Sequence, residues 1–181
     1  MPENYTIRLA RSQDLEHLPK IEQSAARTFS NYLEILQFPQ ELLDRPVPIA
    51  KLKQAQQENM LWVADDRHNR PIGFAYVEKL GDCWHLEELD VHPQSQKQGI
   101  GSALVKAVCD RLTEMRISAI TLTTFRDIPW NAPFYQKLGF QEISFSECSI
   151  ELQEIVTREN QQGLQQDKRV IMGYHSPSSL G

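Results

Sequence analysis

Val91-His92-Pro93-Gln94-Ser95-Gln96-Lys97-Gln98-Gly99-Ile100-Gly101-Ser102 is the stretch on which the reading of the fold turns. An apolar strand stops at a proline. A short polar turn follows, and two glycines then open an amphipathic helix. Such a junction leaves several backbone N–H groups pointing forward at the positive end of a helix, which favours an anion such as a pyrophosphate. Glycine matters there because a Cβ would hold the phosphate away from the backbone. Two better-known phosphate loops do not fit. No GxxxxGK followed by Ser or Thr occurs. A GxGxxG/A fingerprint would need a small residue at position 104, where Leu104 stands. On the loop alone, a glycine-rich helix start without any ligand stays open beside the phosphate site.

Working outward, Gly99 to Met115 carries Ile100, Ala103, Leu104, Ala107, Val108, Leu112 and Met115 at the helical period. Before the loop, Leu61–Ala64 and Ile72–Val77 read as a hairpin. Gly81-Asp82 is the next turn, and Trp84–Val91 a third strand. Tyr5–Leu9 alternates as a first strand. Ser12 and Asp14 offer N-caps for a helix bearing Leu15, Leu18, Ile21 and Ala25, with Pro19 delaying or bending its start. Thr28–Pro48 is broken by prolines into short helices and loops, and Ile49–Asn59 is helical. After the central helix come a strand at Ala119–Thr123, a loop, and a short helix over Asn131–Leu138. A strand at Phe140–Ser144, a helix ending near Gly163 and a last strand at Arg169–Tyr174 follow. The pattern predicts an α/β (α+β) mixed sheet with helices on both faces. Residues 1–174 are read as one domain and 175–181 as a flexible tail.

The length of 181 residues suits one domain. A formal charge of -5 argues against a nucleic-acid partner and is compatible with a cationic substrate. No run approaches a membrane span. The first residues lack a basic patch followed by an apolar run, so no signal peptide is expected. Cys83, Cys109 and Cys148 give neither a disulfide framework nor a zinc spacing, and the five histidines form no metal pair. A reducing cytoplasm and no metal are the expectations.

Leu89-Asp90-Val91-His92-Pro93 followed by Gln96-Lys97-Gln98-Gly99-Ile100-Gly101, with Phe134-Tyr135-Gln136-Lys137-Leu138-Gly139-Phe140 downstream, resembles the two motifs of the GNAT superfamily of N-acetyltransferases. The resemblance covers roughly residues 5–145. It implies a mostly antiparallel sheet of six to seven strands, with Trp84–Val91 bulged and splayed from Ala119–Thr123. It implies acetyl-CoA as acetyl donor, its pantetheine arm paired with the backbone of Leu89, Asp90 and Val91. Gln96, Lys97, Gln98, Gly99, Ile100, Gly101 and Ser102 would hold the pyrophosphate. Arginine is common in the family where Gln96 stands, and Lys97 compensates for it.

An alkyl ammonium must lose a proton before it attacks a thioester, since its ordinary pKa is about 10.4. The resemblance places the base at Glu87, with His85 and Glu88 as the other candidates. It places the general acid for the departing thiolate at Tyr135, a phenol that is protonated at neutral pH. The plainer alternatives are a solvated strand face for the acids, a core histidine at 85 and a packed tyrosine at 135. The family's asparagine seven residues before the tyrosine is Ile128 here. Asn131 either caps the short helix or reaches the cofactor, and Phe125, Arg126 and Trp130 lie on the same loop. The acids Glu87, Glu88 and Asp90 lean the acceptor towards a small cationic amine. A peptide amine, a bulkier acyl-CoA and a non-catalytic CoA-binding module remain as other readings. Family members often pair, so a homodimer is among the expectations.

Overall fold

The computed structural model describes residues 4–37 and 39–177. Seven strands form one open sheet in the order β1-β2-β3-β4-β5-β7-β6. They are β1 Tyr5–Leu9, β2 Leu61–Asp66, β3 Pro71–Leu80, β4 Cys83–Val91, β5 Ala119–Phe125, β6 Gln141–Ile143 and β7 Arg169–His175. β4 and β5 are parallel, in register at Trp84 with Ile120 and His85 with Thr121. The register of β1 on β2, β2 on β3, β5 on β7 and β6 on β7 is antiparallel. The helices are α1 Leu18–Ala26, α2 Leu33–Leu36, α3 Gln40–Leu43, α4 Ile49–Gln57, α5 Ile100–Glu114, α6 Ala132–Lys137 and α7 Ile150–Gln161. No helix among the described residues is long and apolar enough to cross a membrane.

The chain divides into two compact units. The first comprises residues 1–31, 40–78 and 86–111. Its buried side chains come from α1 (Leu18, Ile21), α4 (Leu52), β2 (Leu61, Val63), β3 (Phe74) and α5 (Ile100, Leu104, Val108). α1 starts later than Ser12 and Asp14 would set it. Residues 12–14 form a single 3-10 turn, and the α-helix begins at Leu18 with Pro19 in its first turn. There a missing N–H costs nothing, because the first amides of a helix have no intrahelical acceptor. Asp14 turns instead to Arg8, whose guanidinium it meets at 2.6 and 3.0 Å.

The Gly81-Asp82 turn has Gly81 at φ +58 and sets Leu80 opposite Cys83. In that register Ile72 would exchange its bonds with Val91. Instead the His92 amide donates to the Ile72 carbonyl at 2.8 Å. β4 therefore holds one residue more than β3 between Cys83 and His92, which is a bulge. The two strands lie so close near that end that a Cβ on Gly73 would stand 2.9 Å from the Asp90 carbonyl oxygen.

The second unit comprises residues 32–39, 79–85 and 112–181. Here β7 lies between β5 and β6, and α7 fills the connection from β6 to β7. Ser149 caps α7 by accepting the Leu152 amide at 3.3 Å. Leu152 and Val156 then pack with Ile171, Leu80 and Ile143. Burying each such side chain stabilises by about 1.5–3 kcal/mol. β7 runs through His175, and the Ser176 amide donates to Ser118 O at 2.9 Å. Residues 178–181 of the expected tail lie outside the described residues.

Candidate active site

The loop after β4 is in the first unit. A 3-10 turn at Pro93–Ser95 follows His92. Lys97 (φ 61) and Gly99 (φ 82) take left-handed conformations, which re-aim successive amides. The first helical bond of α5 runs from Ala103 N–H to Gly99 O at 2.9 Å. The amides of Ile100, Gly101 and Ser102 precede it and have no acceptor within the helix. Lys97, Gln98 and Gly99 are exposed. A Cβ on Gly99 would meet nothing nearer than the Tyr5 hydroxyl at 3.5 Å, so the space over the loop is open. This is a cradle that fits a pyrophosphate. Gln96 does not face that space through its amide: its Nε2 donates to Val91 O at 3.0 Å and ties the loop back to the strand. Leu89, Asp90 and Val91 are half-buried at the end of β4.

The acids of β4 part to the two faces of the strand. Glu87 is half-buried and its charge acts on Tyr76 of β3. The Tyr76 hydroxyl donates to Glu78 Oε1. Burial, that bond and the charges of Glu78, Glu87 and Glu58 all push the phenol's pKa up. Lys51 reaches Glu78 at 3.0 Å on the same side. Glu88 and Asp90 belong to another group. Asp90's carboxyl is driven well above its ordinary range by burial, then by Glu88 and Glu22. Glu22, on α1, is 9% exposed, and its two carboxylate oxygens accept the Val47 amide at 2.9 and 3.0 Å. Burial pushes its pKa up to about 7, against that backbone bond.

Sequence reasoning missed Glu22. The signal was present, because Leu18, Ile21, Glu22 and Ala25 share one face of α1, and a carboxylate on an apolar stripe is out of place.

His85 and Tyr135 are in the second unit. His85 is 2% exposed, and its Nδ1 lies 2.8 Å from Thr121 Oγ1. It is a histidine of the core, as the plainer reading had it. Tyr135 sits on α6 at 8% exposure. Its ring makes edge-on contacts with Phe134 and Phe140, at 5.0 and 5.6 Å between centroids. That packing fixes the ring plane. Asn131 precedes α6, and its side chain makes no cap bond. Of its two readings, the capping one falls away. Ile128, at the family's asparagine position, is a core residue at 1%. Phe125 lies under the Arg169 guanidinium at 4.9 Å, and Arg126 pairs with Glu142 at 3.1 Å. Trp130 is 41% exposed and meets Tyr32 edge-on at 5.2 Å. Of the three, Phe125 is buried, and Arg126 and Trp130 are exposed.

Among the described residues no group of three or more His, Cys, Asp or Glu is placed to hold a metal ion.

A model of the acetyltransferase (GNAT) family matches residues 20–140. Three solved structures show the same fold. The ribosomal-protein-S18-alanine N-acetyltransferase of Escherichia coli is 19% identical with a TM-score of 0.65, over 95% of this chain and 94% of that one. The PaiA N-acetyltransferase of Thermoplasma acidophilum, in complex with coenzyme A, is 16% identical with a TM-score of 0.66, over 94% and 98%. Ard1 of Thermoplasma volcanium is 17% identical with a TM-score of 0.65, over 95% and 97%.

Proposed function

The chain belongs to the GNAT family of acetyltransferases, and from that premise we propose that it transfers the acetyl group of acetyl-CoA to a small cationic primary amine by direct attack. The observation that carries this reading is the open cradle of amides between Lys97 and Ser102. It sits at the end of a strand that carries Glu87, Glu88 and Asp90. The amides of Gln98 to Ser102, with Lys97 beside them, hold the pyrophosphate. The backbone of Leu89, Asp90 and Val91 guides the pantetheine arm. Asn131, just before α6 and with a side chain not engaged as a cap, is a further candidate for holding the cofactor.

In the reaction the neutral amine nitrogen attacks the thioester carbonyl carbon. The C–N bond forms, the C–S bond breaks, and the thiolate takes up a proton to leave as the free thiol of CoA. Glu87 removes the proton of the arriving ammonium, directly or through a water. The acids around Tyr76 favour a cation there. Tyr135 donates to the departing sulfur, and the ring packing against Phe134 and Phe140 supports a fixed phenol. The net change is ammonium plus acetyl-CoA to amide, free CoA and one proton.

Release of CoA thiol from acetyl-CoA, measured with primary amines, amino acids and short peptides, tests the reading. Turnover is expected with the cationic amines. Glu87→Gln should lower kcat by about 10²-fold or more at neutral pH, and by less at high pH, where the amine deprotonates by itself. Tyr135→Phe should lower kcat and leave CoA affinity unchanged. CoA binding without turnover on any amine would overturn transfer, and an unchanged pH profile in Glu87→Gln would remove Glu87 as the base.

A further inference from the structure

Resting on the acetyl-CoA reading above, we propose that the turn between β2 and β3 holds the 3′-phosphate on the ribose of the donor, and that Arg67 lets the chain tell CoA from dephospho-CoA. CoA carries a third phosphate besides its pyrophosphate, and the amide cradle accounts only for the pyrophosphate. The third is a monoester with a charge of about −1.5 to −2 at neutral pH. One sugar ring separates it from the pyrophosphate, so it needs a partner beside the cradle.

The turn presents cations at its tip. The Asp66 carboxylate accepts the amides of His68 and Arg70 at 2.8 and 3.0 Å. The Asn69 amide donates to Asp66 O at 2.9 Å, and Asn69 is left-handed at φ 57. That is a tight hairpin turn closed by a left-handed residue, and it leaves Arg67 and His68 exposed at the corner. Arg70 gives its Nε and Nη2 to Asp66 at 2.9 and 2.7 Å, which spends the acid of the turn. Arg67 has no acid partner among the described residues. Its Nε donates to His68 Nε2 at 3.1 Å, and its two terminal nitrogens are left over. Arg70 Nη1 is left over in the same way.

Arg67, His68 and Arg70 border a cavity of about 230 Å³, together with Ile72, Ser95 and Gln98. All of these residues belong to the first unit. Ser95 and Gln98 come from the loop that makes the cradle, and Gln98 takes part in both. The bond from the His92 amide to Ile72 O, at 2.8 Å, holds the start of that loop against the strand that leaves the turn. The cavity has the volume of roughly seven waters, room for a phosphate and bridging water. Half-buried Ser95 adds a hydroxyl donor. A guanidinium fork matches phosphate oxygens bidentately, and a doubly charged monoester gains more from it than a carboxylate does. The formal charge of -5 speaks for one compact anion here rather than a nucleic-acid strand.

Titration calorimetry on the full chain, with CoA and with dephospho-CoA at matched ionic strength, tests the proposal. The wild type should bind CoA more tightly by about tenfold or more, the scale of one charge-assisted hydrogen bond. That preference should shrink as salt is raised, because the turn is exposed. Arg67→Ala should bring the two ligands to within about threefold by weakening CoA alone, with the melting temperature unchanged. Equal binding of the two ligands by the wild type, or an undiminished preference in Arg67→Ala, overturns the proposal and leaves acetyl transfer standing. An equal loss for both ligands in Arg67→Ala also overturns it, since Arg67 would then serve the pyrophosphate. Failure of the wild type to bind either ligand would sink the acetyl-CoA reading itself, and the proposal with it.

Discussion

Arg8 stands between Asp14 and Asp65, whereas Glu22 and Asp90 have other carboxyls and one backbone amide against them. Both groups belong to the first unit; Asp14, Asp65 and Glu22 are buried and Asp90 is half-buried, with its Oδ2 closed off from solvent. Arg8 Nη1 reaches Asp14 at 2.6 Å and its Nε reaches Asp65 at 2.7 Å, with the two acids 3% and 2% exposed. Burial would lift the Asp14 pKa. The Arg8 guanidinium and the Arg11 amide overcome it and hold the carboxyl below its ordinary range. At Glu22 and Asp90 burial prevails and the pKa values rise. Asp14 and Glu22, both buried, thus shift in opposite directions, and Asp14 is the one with a guanidinium beside it. A fold that needed only to bury those acids had a solution at hand and used it at Arg8. A buried carboxyl whose pKa is pushed up, as at Glu22, costs stability at neutral pH, and such sites are where function is expected.

The sharpest way to break the comparison is to make the first group resemble the second. Arg8→Ala strands two buried carboxylates. The expected loss is about 3–5 kcal/mol, or roughly 6–20 °C of Tm in a chain of this size. A melting curve at neutral pH reads it. A loss under about 1 kcal/mol would mean that burial alone does not separate the two groups, and the contrast would fall.

Glu22→Gln works in the other direction. The ordinary glutamate pKa is 4.5, and Glu22 is raised to about 7. Between those values the native chain binds more protons than the unfolded one, so the stability from this group is lost as pH rises through the window. Glutamine has no such loss. The difference in Tm, variant minus wild type, should therefore climb between pH 5 and pH 8, by about 2–4 °C for each kcal/mol relieved. Asp14 has the opposite sign: its lowered pKa gives stability that is lost only as pH falls below the carboxylate range. A flat difference between pH 5 and pH 8 would show that Glu22 does not titrate there.

The two groups were not equally legible in the sequence. β4, α5 and the loop between them could be read because their signals are local: a proline stop, paired glycines and a seven-residue apolar series from Ile100 to Met115. Tyr135 was legible by its motif. Glu88 and Asp90 were visible as acids, but not their facing, because a bulge in β4 shifts the alternation on which that judgement rests. Glu22 was hidden for another reason. It joins Asp90 across a long stretch of chain, and its only local sign is a polar residue on an apolar stripe. Of the two readings of α1, a start delayed by Pro19 or a bent helix, the delayed start holds, and Asp14, a good cap by type, is engaged instead by a guanidinium on β1.

The smallest effect is expected where the cation of a short ion pair is exposed. Asp66 is held down to about 2: against burial, the Arg70 side chain, the Arg70 amide and the His68 amide all bond its carboxylate. The Arg70 Nη2 contact is 2.7 Å, as short as those of Arg8. Yet Arg70 is 73% exposed, so water and salt screen the pair and the free side chain loses little hydration when it is released. Arg70→Ala should cost about 0.2–1 kcal/mol, at most about 4 °C of Tm, and less at high salt. The backbone bonds from His68 and Arg70 to Asp66 survive the substitution and keep the turn. A loss as large as that of Arg8→Ala would mean that contact distance, rather than burial, sets what an ion pair contributes in this chain. The reading of Glu22 and Asp90 as a functional departure would then lose its physical basis.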